Sequence, residues 1–206
     1  MITLYHSPFT RSHLIRFALE ELGLPHELRR VDVAKGEHKA PAYLNVNPLG
    51  QLPALLDDDI TMREAAAIAL HLADKAPERG LAPPVGSPER APYYQWVVFA
   101  VATELFALSK IAMHTRFLPE PARVEAIAEA GRAEWVEVAR ALSLAVSDRQ
   151  FLLGDSFTMA DVLVGGSLWL ADLLGVLAPH SELRAYYGRV SRRPAFTRAF
   201  SDAVAA

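Results

Sequence analysis

The sequence predicts two domains of different class, an α/β domain followed by an all-helical domain. In the first part of the chain, short apolar runs of strand length alternate with segments whose apolar residues recur at helical spacing. Beyond residue 92 only the helical spacing remains, and the stretch 76–92 carries five prolines and two glycines. We therefore predict a first domain over residues 1–78, a linker over 79–91 and a helical domain over 92–206.

The first domain begins with a strand, a loop and a helix. Residues 2–5 are typical of a short buried strand, and Pro8 ends it because proline cannot donate to a strand ladder. From residue 12 to residue 22 apolar side chains recur at helical spacing, and Gly23 supplies the C-terminal stop. Ser12 is best placed to be the N-cap of this helix.

Three more strands and two more helices complete the first domain. The predicted elements are a strand over 26–33, a loop with a short irregular helix over 35–46, strands over 53–56 and 60–62 around an acidic turn, and a helix over 64–76. The resulting order, β-α-β-α-β-β-α, is that of a thioredoxin-like domain.

The second domain is predicted to be an all-helical bundle, because no strand candidate interrupts its helical periodicity. The predicted helices cover residues 91–113, 120–146, 159–174, 183–190 and 194–204. One helix start is well determined by the sequence. Thr158 can cap the helix, while Asp161, three positions later, reaches back to the amide of the cap residue.

The composition excludes several kinds of chemistry. The chain has no cysteine, so it forms neither a disulfide nor a thiolate metal site, and any reactive thiol must come from a ligand. Its histidines look too dispersed for a metal site, and no nucleophile elbow supports a Ser-His-Asp triad. The formal net charge is −3 and the 17 arginines are scattered, which argues against nucleic acid or an anionic membrane as partner. We expect a soluble cytoplasmic protein, since no leader or long apolar run is present.

Three separated motifs resemble those of the cytosolic glutathione transferases, in particular the bacterial, beta-like or related unassigned classes. They are Leu-Glu-Glu-Leu-Gly-Leu at 19–24, the proline loop Asn-Pro-Leu-Gly-Gln-Leu-Pro at 47–53 with Glu64 and Ala65 after it, and the capping motif at Thr158. The resemblance implies a homodimer whose first domain binds glutathione as a co-substrate and whose helical domain supplies an apolar pocket. It implies attack of the glutathione thiolate on an electrophile, or reduction of a peroxide or disulfide, with no metal.

A hydroxyl at the start of the first helix could supply the thiolate chemistry. A free thiol has a pKa of about 8.5, and one hydrogen bond to a charged group contributes roughly 1.5 to 3 kcal/mol, enough to lower that pKa by one to two units. By the resemblance, Ser12 and Thr10 are the leading candidates. The acting hydroxyl could also be that of Tyr5 or Ser7, or no hydroxyl could be involved. For Ser12 the alternative is an ordinary helix cap.

The resemblance also implies a set of glutathione-binding residues. Leu52 would pair with the cysteinyl portion through its backbone, and an X-Pro bond before Pro53 can be cis. The start of the next helix would hold the γ-glutamyl group, although Ala65 replaces the hydroxyl that the family commonly has there. The full set is Arg11, His38, Lys39, Gln51, Leu52, Pro53, Glu64, Ala65 and Glu104, the last reaching across the dimer.

An electrophile pocket is predicted from aromatic and long side chains, most of them at helical spacing. The candidates are Phe9, Phe106, Lys110, Met113, His114 and Phe117. Plain core packing is the alternative for this apolar stripe. The departures at Ala65, and at Phe106 and Ala107 where beta-class enzymes usually carry a His-Lys pair, motivate a second hypothesis, a binding or regulatory module on the same fold.

Overall fold

A computed structural model describes residues 1–204, with side chains through residue 202, and its contacts divide the chain into two compact units. One unit comprises Met1–Ala82 together with the C-terminal segment that begins at Arg193, and the other is Pro83–Arg192. This division differs from the predicted domains in the last helix, which belongs to the first unit. Residues 205–206 of the predicted second domain lie outside the described residues.

The first unit is built on a four-stranded mixed sheet of order β2-β1-β3-β4. The strands are β1 (Ile2–His6), β2 (His26–Arg30), β3 (Ala54–Asp57) and β4 (Ile60–Arg63). β1 pairs in parallel with β2 and antiparallel with β3, so this strand is buried along its whole length. The expected thioredoxin-like architecture is confirmed.

Four helices accompany the sheet in this unit, α1 (Ser12–Leu22), α2 (Pro41–Leu44), α3 (Ala65–Lys75) and α9 (Pro194–Val204). Gly23 ends α1 in the left-handed conformation, with φ of 64°, as predicted. The N-cap prediction for Ser12 is wrong. Arg11 occupies the N-cap position and Ser12 is the first helical residue, because the hydroxyl of Ser12 turns inward to other partners.

Three element ends differ from the prediction for local reasons. β2 stops at Arg30, since β1 ends at His6 and offers no further partner. β3 extends to Asp57, so the hairpin turn shortens to Asp58 and Asp59. α3 begins at Ala65, because Glu64 has a φ of 67° and cannot continue a right-handed helix.

The second unit contains helices α4 (Arg90–Phe99), α5 (Leu105–Ala112), α6 (Glu125–Val146), α7 (Met159–Leu173) and α8 (Ser181–Ser191). Two π-helical segments, Ala100–Glu104 and Met113–Phe117, make 90–117 one continuous helical stretch. α6 begins five residues later than predicted, since Glu120–Ala122 forms a separate 3₁₀ turn around a proline.

The stretch Arg90–Phe117 is long and apolar enough, by composition, to cross a membrane. The sequence-based expectation that no segment has this length and composition is therefore too strict. However, residues such as Tyr93, Val97 and Leu108 are fully buried within the helical unit. A core helix of a helical bundle has the same length and composition, so this stretch is weak evidence for a membrane span.

The predicted capping motif is present at the start of α7. The Asp161 carboxylate is fully buried, and it accepts from the Thr158 amide at 2.9 Å and the Thr158 hydroxyl at 3.0 Å. Its other oxygen accepts from the Leu152 amide and the Tyr186 hydroxyl, each at 2.9 Å. Burial raises the pKa of Asp161, and the four hydrogen bonds offset only part of that effect. Asp161 therefore joins the helix start to a loop and to α8.

Candidate active site

The loop between β1 and α1 holds two hydroxyls in direct contact. Thr10 Oγ1 and Ser12 Oγ lie 2.6 Å apart, and Ser12 Oγ lies 2.8 Å from His6 Nδ1. The Ser7 amide donates to Ser12 Oγ at 3.2 Å, while Thr10 Oγ1 lies 2.8 Å from the Ser7 carbonyl. Ser12 is fully buried and Thr10 only half-buried, so Thr10 is the more accessible of the two hydroxyls.

His6 connects these hydroxyls to the last helix. Its Nε2 donates to Asp202 Oδ2 at 2.8 Å, and His13 Nε2 donates to the other oxygen of the same carboxylate at 3.0 Å. Arg16 lies 3.2 Å from that second oxygen. Burial lowers the pKa of His6 to about 4, with the bond to Asp202 offsetting part of the effect, so the ring is neutral at pH 7.

Asp202 is ionised in this network. Partial burial alone would raise its pKa, but hydrogen bonds from His6 and His13 lower the pKa to about 2. An ionised carboxylate only accepts hydrogen bonds, so both histidines present an N–H to it. The Nδ1 atom of neutral His6 therefore carries a lone pair toward Ser12.

The structure contradicts the premise that the histidines are dispersed, and it adds a hydrogen-bonded chain that the sequence did not indicate. The ligand atoms of His6, His13 and Asp202 lie within 4.8 Å of one another, so these histidines are not dispersed. Ser12, His6 and Asp202 also form a Ser-His-Asp hydrogen-bonded chain without a nucleophile elbow. Because Ser12 is fully buried, its hydroxyl has no access to an acyl substrate.

The proline loop is held by two buried side chains. The bond between Leu52 and Pro53 is cis, as the sequence allowed. The carbonyl of the preceding residue, Gln51, accepts from the Tyr43 hydroxyl at 2.6 Å and from Asn47 Nδ2 at 2.7 Å. β3 begins only at Ala54, so the peptide groups of Leu52 lie outside the strand ladder.

His38 and Lys39 lie beside the same loop. Lys39 Nζ donates to the Leu49 carbonyl at 2.8 Å. Gly50 has a φ of 60°, and a Cβ there would lie 2.5 Å from the His38 carbonyl oxygen and 2.9 Å from the Lys39 side chain. Only glycine therefore permits this close approach of the two segments.

The start of α3 is the second part of the candidate site. Glu64 combines φ of 67° with ψ of 114°, a conformation that non-glycine residues rarely adopt and that is concentrated at ligand sites. The first bond within the helix runs from the Ile68 amide to the Glu64 carbonyl, so the amides of 65–67 have no intrahelical partner. Partial desolvation lowers the pKa of Arg11, and the nearby Glu64 carboxylate offsets part of that effect. The helices α1 and α3 also contact each other in this unit.

The other hydroxyl candidates of the loop serve the sheet and the turn. Tyr5 is buried in the core, where its hydroxyl accepts from Arg29 Nη1 at 2.9 Å. Ser7 is buried and contributes its backbone groups to the Thr10 and Ser12 network.

The structure does not support Glu104 as a residue that reaches across a dimer. Its side chain is fully buried in the helical unit, and neither carboxylate oxygen has a hydrogen-bond partner among the described residues. Burial raises its pKa well above the usual range. A carboxyl group enclosed in its own helical unit cannot contact a ligand on another subunit.

Several of the predicted electrophile residues of the second unit are exposed rather than buried in its core. Phe106, Met113 and Phe117 are 55%, 40% and 38% exposed, which excludes plain core packing for them. Lys110 Nζ bonds Glu134 and lies 4.4 Å from the centroid of the Phe106 ring, and His114 Nδ1 accepts from the Val124 amide. Phe9 belongs to the first unit and has a φ of 60°.

Sequence reasoning missed four residues that hold the candidate site together, namely His6, Asp202, Tyr43 and Asn47. The Asn-Pro pair at 47–48 is a turn signal that could have identified Asn47 as an anchor. No local signal relates His6 to Asp202, since 196 positions separate them in the chain.

Comparisons with known proteins agree with this architecture. Residues 1–74 match the model of the glutathione S-transferase N-terminal domain, and residues 125–189 match that of the C-terminal domain. The chain is 32% identical over 203 residues to glutathione S-transferase GstA of Escherichia coli O157:H7, covering 96% of each chain. It is 31% identical to glutathione S-transferase GST-4.5 of Xanthomonas campestris, covering 91% of each.

Solved structures show the same similarity over nearly the whole chain. The ternary complex of BphK, a bacterial glutathione transferase, is 32% identical with a TM-score of 0.87, over 98% of this chain and 99% of that one. The transferase URE2P6 from Phanerochaete chrysosporium, in complex with oxidized glutathione, is 28% identical with a TM-score of 0.89, over 99% and 96%. The chain belongs to the glutathione S-transferase family. It is an enzyme of the bacterial type of cytosolic glutathione transferase.

Proposed function

We propose that this enzyme binds glutathione on its first unit and conjugates the glutathione thiolate to hydrophobic electrophiles. Glutathione-dependent peroxide reduction is a second reaction of the same thiolate. The observation that carries the proposal is the strained, amide-rich start of α3, a helix that packs against α1, which follows the hydroxyl loop.

Each of the three residues of glutathione has protein groups suited to bind it. The free amides that begin at Ala65 would take the γ-glutamyl carboxylate, and Glu64 its ammonium, because a helix start favours an anion. The peptide groups of Leu52 would pair with the cysteinyl residue. His38 and Lys39 would take the glycine carboxylate, and the Lys39 ammonium keeps donors beyond the one given to Leu49.

Thr10 is proposed as the hydroxyl that contacts the sulfur, since it is half-buried whereas Ser12 is fully buried. Lowering the thiol pKa by about two units corresponds to about 2.7 kcal/mol, which one hydrogen bond to a thiolate can supply. The exposed apolar side chains of Phe106, Met113 and Phe117 would contact the electrophile.

Ultraviolet titration of the bound thiol tests the hydroxyl assignment in the wild type, Thr10→Val, Thr10→Ser and Ser12→Ala. We expect Thr10→Val to raise the thiol pKa by about one to two units, and Thr10→Ser to keep it low. If Thr10→Val and Ser12→Ala both retain the wild-type pKa, the hydroxyl assignment is wrong.

Calorimetric titration with glutathione and turnover of an aromatic electrophile test the function as a whole. Absence of both binding and conjugation would overturn it. Binding without turnover would favour the second candidate, a non-catalytic binding or regulatory protein, which the missing hydroxyl at Ala65 motivates. We also infer a homodimer, which sedimentation velocity checks.

A further inference from the structure

We propose that Thr10, Ser12, His6 and Asp202 form a proton relay that receives the proton of the glutathione thiol and delivers it to the ring of His6. The relay rests on the proposed function, since its first donor is a thiol bound at Thr10. Asp202 lies on α9, so the last helix of the chain takes part in the chemistry of the first unit.

The relay is continuous in the structure. Thr10 Oγ1 lies 2.6 Å from Ser12 Oγ, Ser12 Oγ lies 2.8 Å from His6 Nδ1, and His6 Nε2 lies 2.8 Å from Asp202 Oδ2. All three distances are those of normal to short hydrogen bonds. Ser12 and His6 are 0% and 3% exposed, so water does not compete with the bond between them.

Asp202 sets the direction of the hydrogen bonds in the relay before glutathione binds. Because this carboxylate only accepts, His6 presents Nε2–H to it and a lone pair on Nδ1 to Ser12. The Ser12 hydroxyl then donates to His6 and leaves its oxygen to accept from Thr10. The Thr10 proton can alternatively turn to the Ser7 carbonyl at 2.8 Å. In either case Thr10 Oγ1 keeps a lone pair for an incoming S–H.

The proton transfer balances without a further reactant. The thiol proton moves to Thr10 Oγ1, the Thr10 proton moves to Ser12 Oγ, and the Ser12 proton moves to His6 Nδ1. The products are a thiolate and an imidazolium in place of a thiol and an imidazole. Thr10 then donates its new O–H to the sulfur, which is the hydrogen bond that the proposed function requires.

The charges around His6 favour a relay over a metal site. Asp202 and the new thiolate would flank the proton on His6, and His13 adds a ring that burial keeps toward its neutral form. Burial, together with Arg16, holds the pKa of His6 at about 4 without a ligand, so the relay requires the thiolate formed on binding, together with Asp202, to bring this pKa above 7. The same guanidinium, 3.2 Å from Asp202, already compensates the carboxylate and disfavours a divalent cation.

Proton counting on glutathione binding tests the relay in the intact wild-type protein. Calorimetry in buffers of different ionisation enthalpy gives the protons released, and ultraviolet absorbance gives the thiolate formed. We expect a thiolate at about pH 7 with far fewer protons released than thiolates formed, because the protein keeps the proton. Nitrogen NMR of the ring should show His6 protonated with glutathione and neutral with S-methylglutathione, which has no thiol proton.

Two outcomes would overturn the relay itself, and a third would overturn the proposed function beneath it. A thiolate with about one proton released for each, and a neutral His6, would refute it while leaving the proposed function intact. A bound thiol that stays un-ionised at about pH 7 would refute the relay as well. No glutathione binding at all would instead refute the proposed function on which the relay depends.

Variants of His6 and Asp202 supply a second readout. His6→Asn keeps a polar side chain but removes the basic nitrogen, so the bound thiolate fraction at about pH 7 should fall by about tenfold. Asp202→Asn should act in the same direction. His71→Asn is a matched control in the same unit. His71 Nε2 also lies 2.8 Å from a carboxylate oxygen, Asp57 Oδ2, but this histidine is not part of the relay. If His71→Asn lowers the bound thiolate fraction equally, the loss in His6→Asn is an effect on folding. The number of protons released by the wild type then decides whether the relay exists.

Discussion

Neighbours rather than residue type decide the role of Ser12. Its position before an amphipathic segment predicts a helix cap, yet the structure makes it the first residue of α1 with its hydroxyl turned toward His6. The local propensity of serine for caps was outweighed by a buried acceptor six residues earlier in the chain. The same turn of the side chain leaves Thr10 as the accessible hydroxyl.

Gly50→Ala should destabilise the protein by about 1–3 kcal/mol, because the new Cβ would lie 2.5 Å from the His38 carbonyl oxygen. It should also weaken glutathione binding, since the displaced segment leads into Leu52. Urea unfolding and calorimetric titration measure the two effects.

The control for this variant is Gly36→Ala. Gly36 also has a positive φ, of 75°, but a Cβ there meets no atom within 4 Å. It therefore carries the backbone penalty without the clash. Equal losses of stability and affinity in the two variants would show that the close approach at Gly50 has no special role.

At the scale of elements, α7 depends on one carboxylate. Asp161→Ala would leave four donors without their acceptor, two from Thr158 and one each from Leu152 and Tyr186. Each buried unsatisfied donor costs roughly 1–3 kcal/mol, so we expect a loss of at least about 4 kcal/mol in unfolding free energy. Tyr186→Phe removes one of these bonds and should cost only about 1 kcal/mol. If chemical denaturation gives a larger loss of unfolding free energy for Tyr186→Phe than for Asp161→Ala, α7 does not depend on the Asp161 carboxylate in this way.

The last helix is the element whose placement the sequence misjudged. Its Phe200 stacks on His13 and Phe196 and meets Phe17 edge-on, and Arg193 pairs with Glu21 through two bonds of 2.6 and 2.7 Å. These contacts fix α9 to α1. An amphipathic helix carries no local mark of which unit will bury its apolar face.

Phe200→Ala should therefore destabilise the first unit by about 3–5 kcal/mol, since Phe200 is 3% exposed and fills part of the core between α1 and α9. Thermal and urea unfolding measure the loss. Phe106→Ala, at a side chain that is 55% exposed, is the matched control and should cost less than about 1 kcal/mol. A loss below about 1 kcal/mol for Phe200→Ala as well would mean that α9 contributes little to the stability of this unit.

For the molecule as a whole, Glu104 links stability to pH. Its pKa in the folded state is raised by complete burial, so the native state holds a proton that the unfolded chain releases above about pH 4.5. Stability from this group is thus present at low pH and lost as pH rises toward the folded pKa. Tyr186 lies in the same buried region. Its pKa is raised chiefly by burial, next by Asp161 and to a smaller extent by Glu104.

Glu104→Gln should remove that loss, because glutamine has the size of the protonated acid and no charge. The gain in unfolding free energy over the wild type should grow between about pH 5 and about pH 8. Urea unfolding across this range measures it, with Glu129→Gln as a control at an exposed glutamate. A difference between Glu104→Gln and the wild type that is independent of pH would contradict a protonated Glu104.

Most of the first unit could be predicted, because its signals are local. Gly23 ends a helix, Pro8 ends a strand and the proline loop precedes a hairpin, and each acts within a few residues. The candidate site was predictable only where it lies on such motifs, as at Leu52 and Glu64. Its anchors were not, since Tyr43 and Asn47 act through contacts that the loop forms only once folded.

By itself the sequence determined the fold class, the family, the absence of a protein thiol and the two chain segments that line the candidate site. These rest on periodicity, turn residues and composition, which act over short distances along the chain. Only the tertiary structure decided that Ser12 is buried, that Glu104 is enclosed and that Asp202 meets His6. Such facts depend on which surfaces exclude water together, and no local pattern carries that information for residues 196 positions apart.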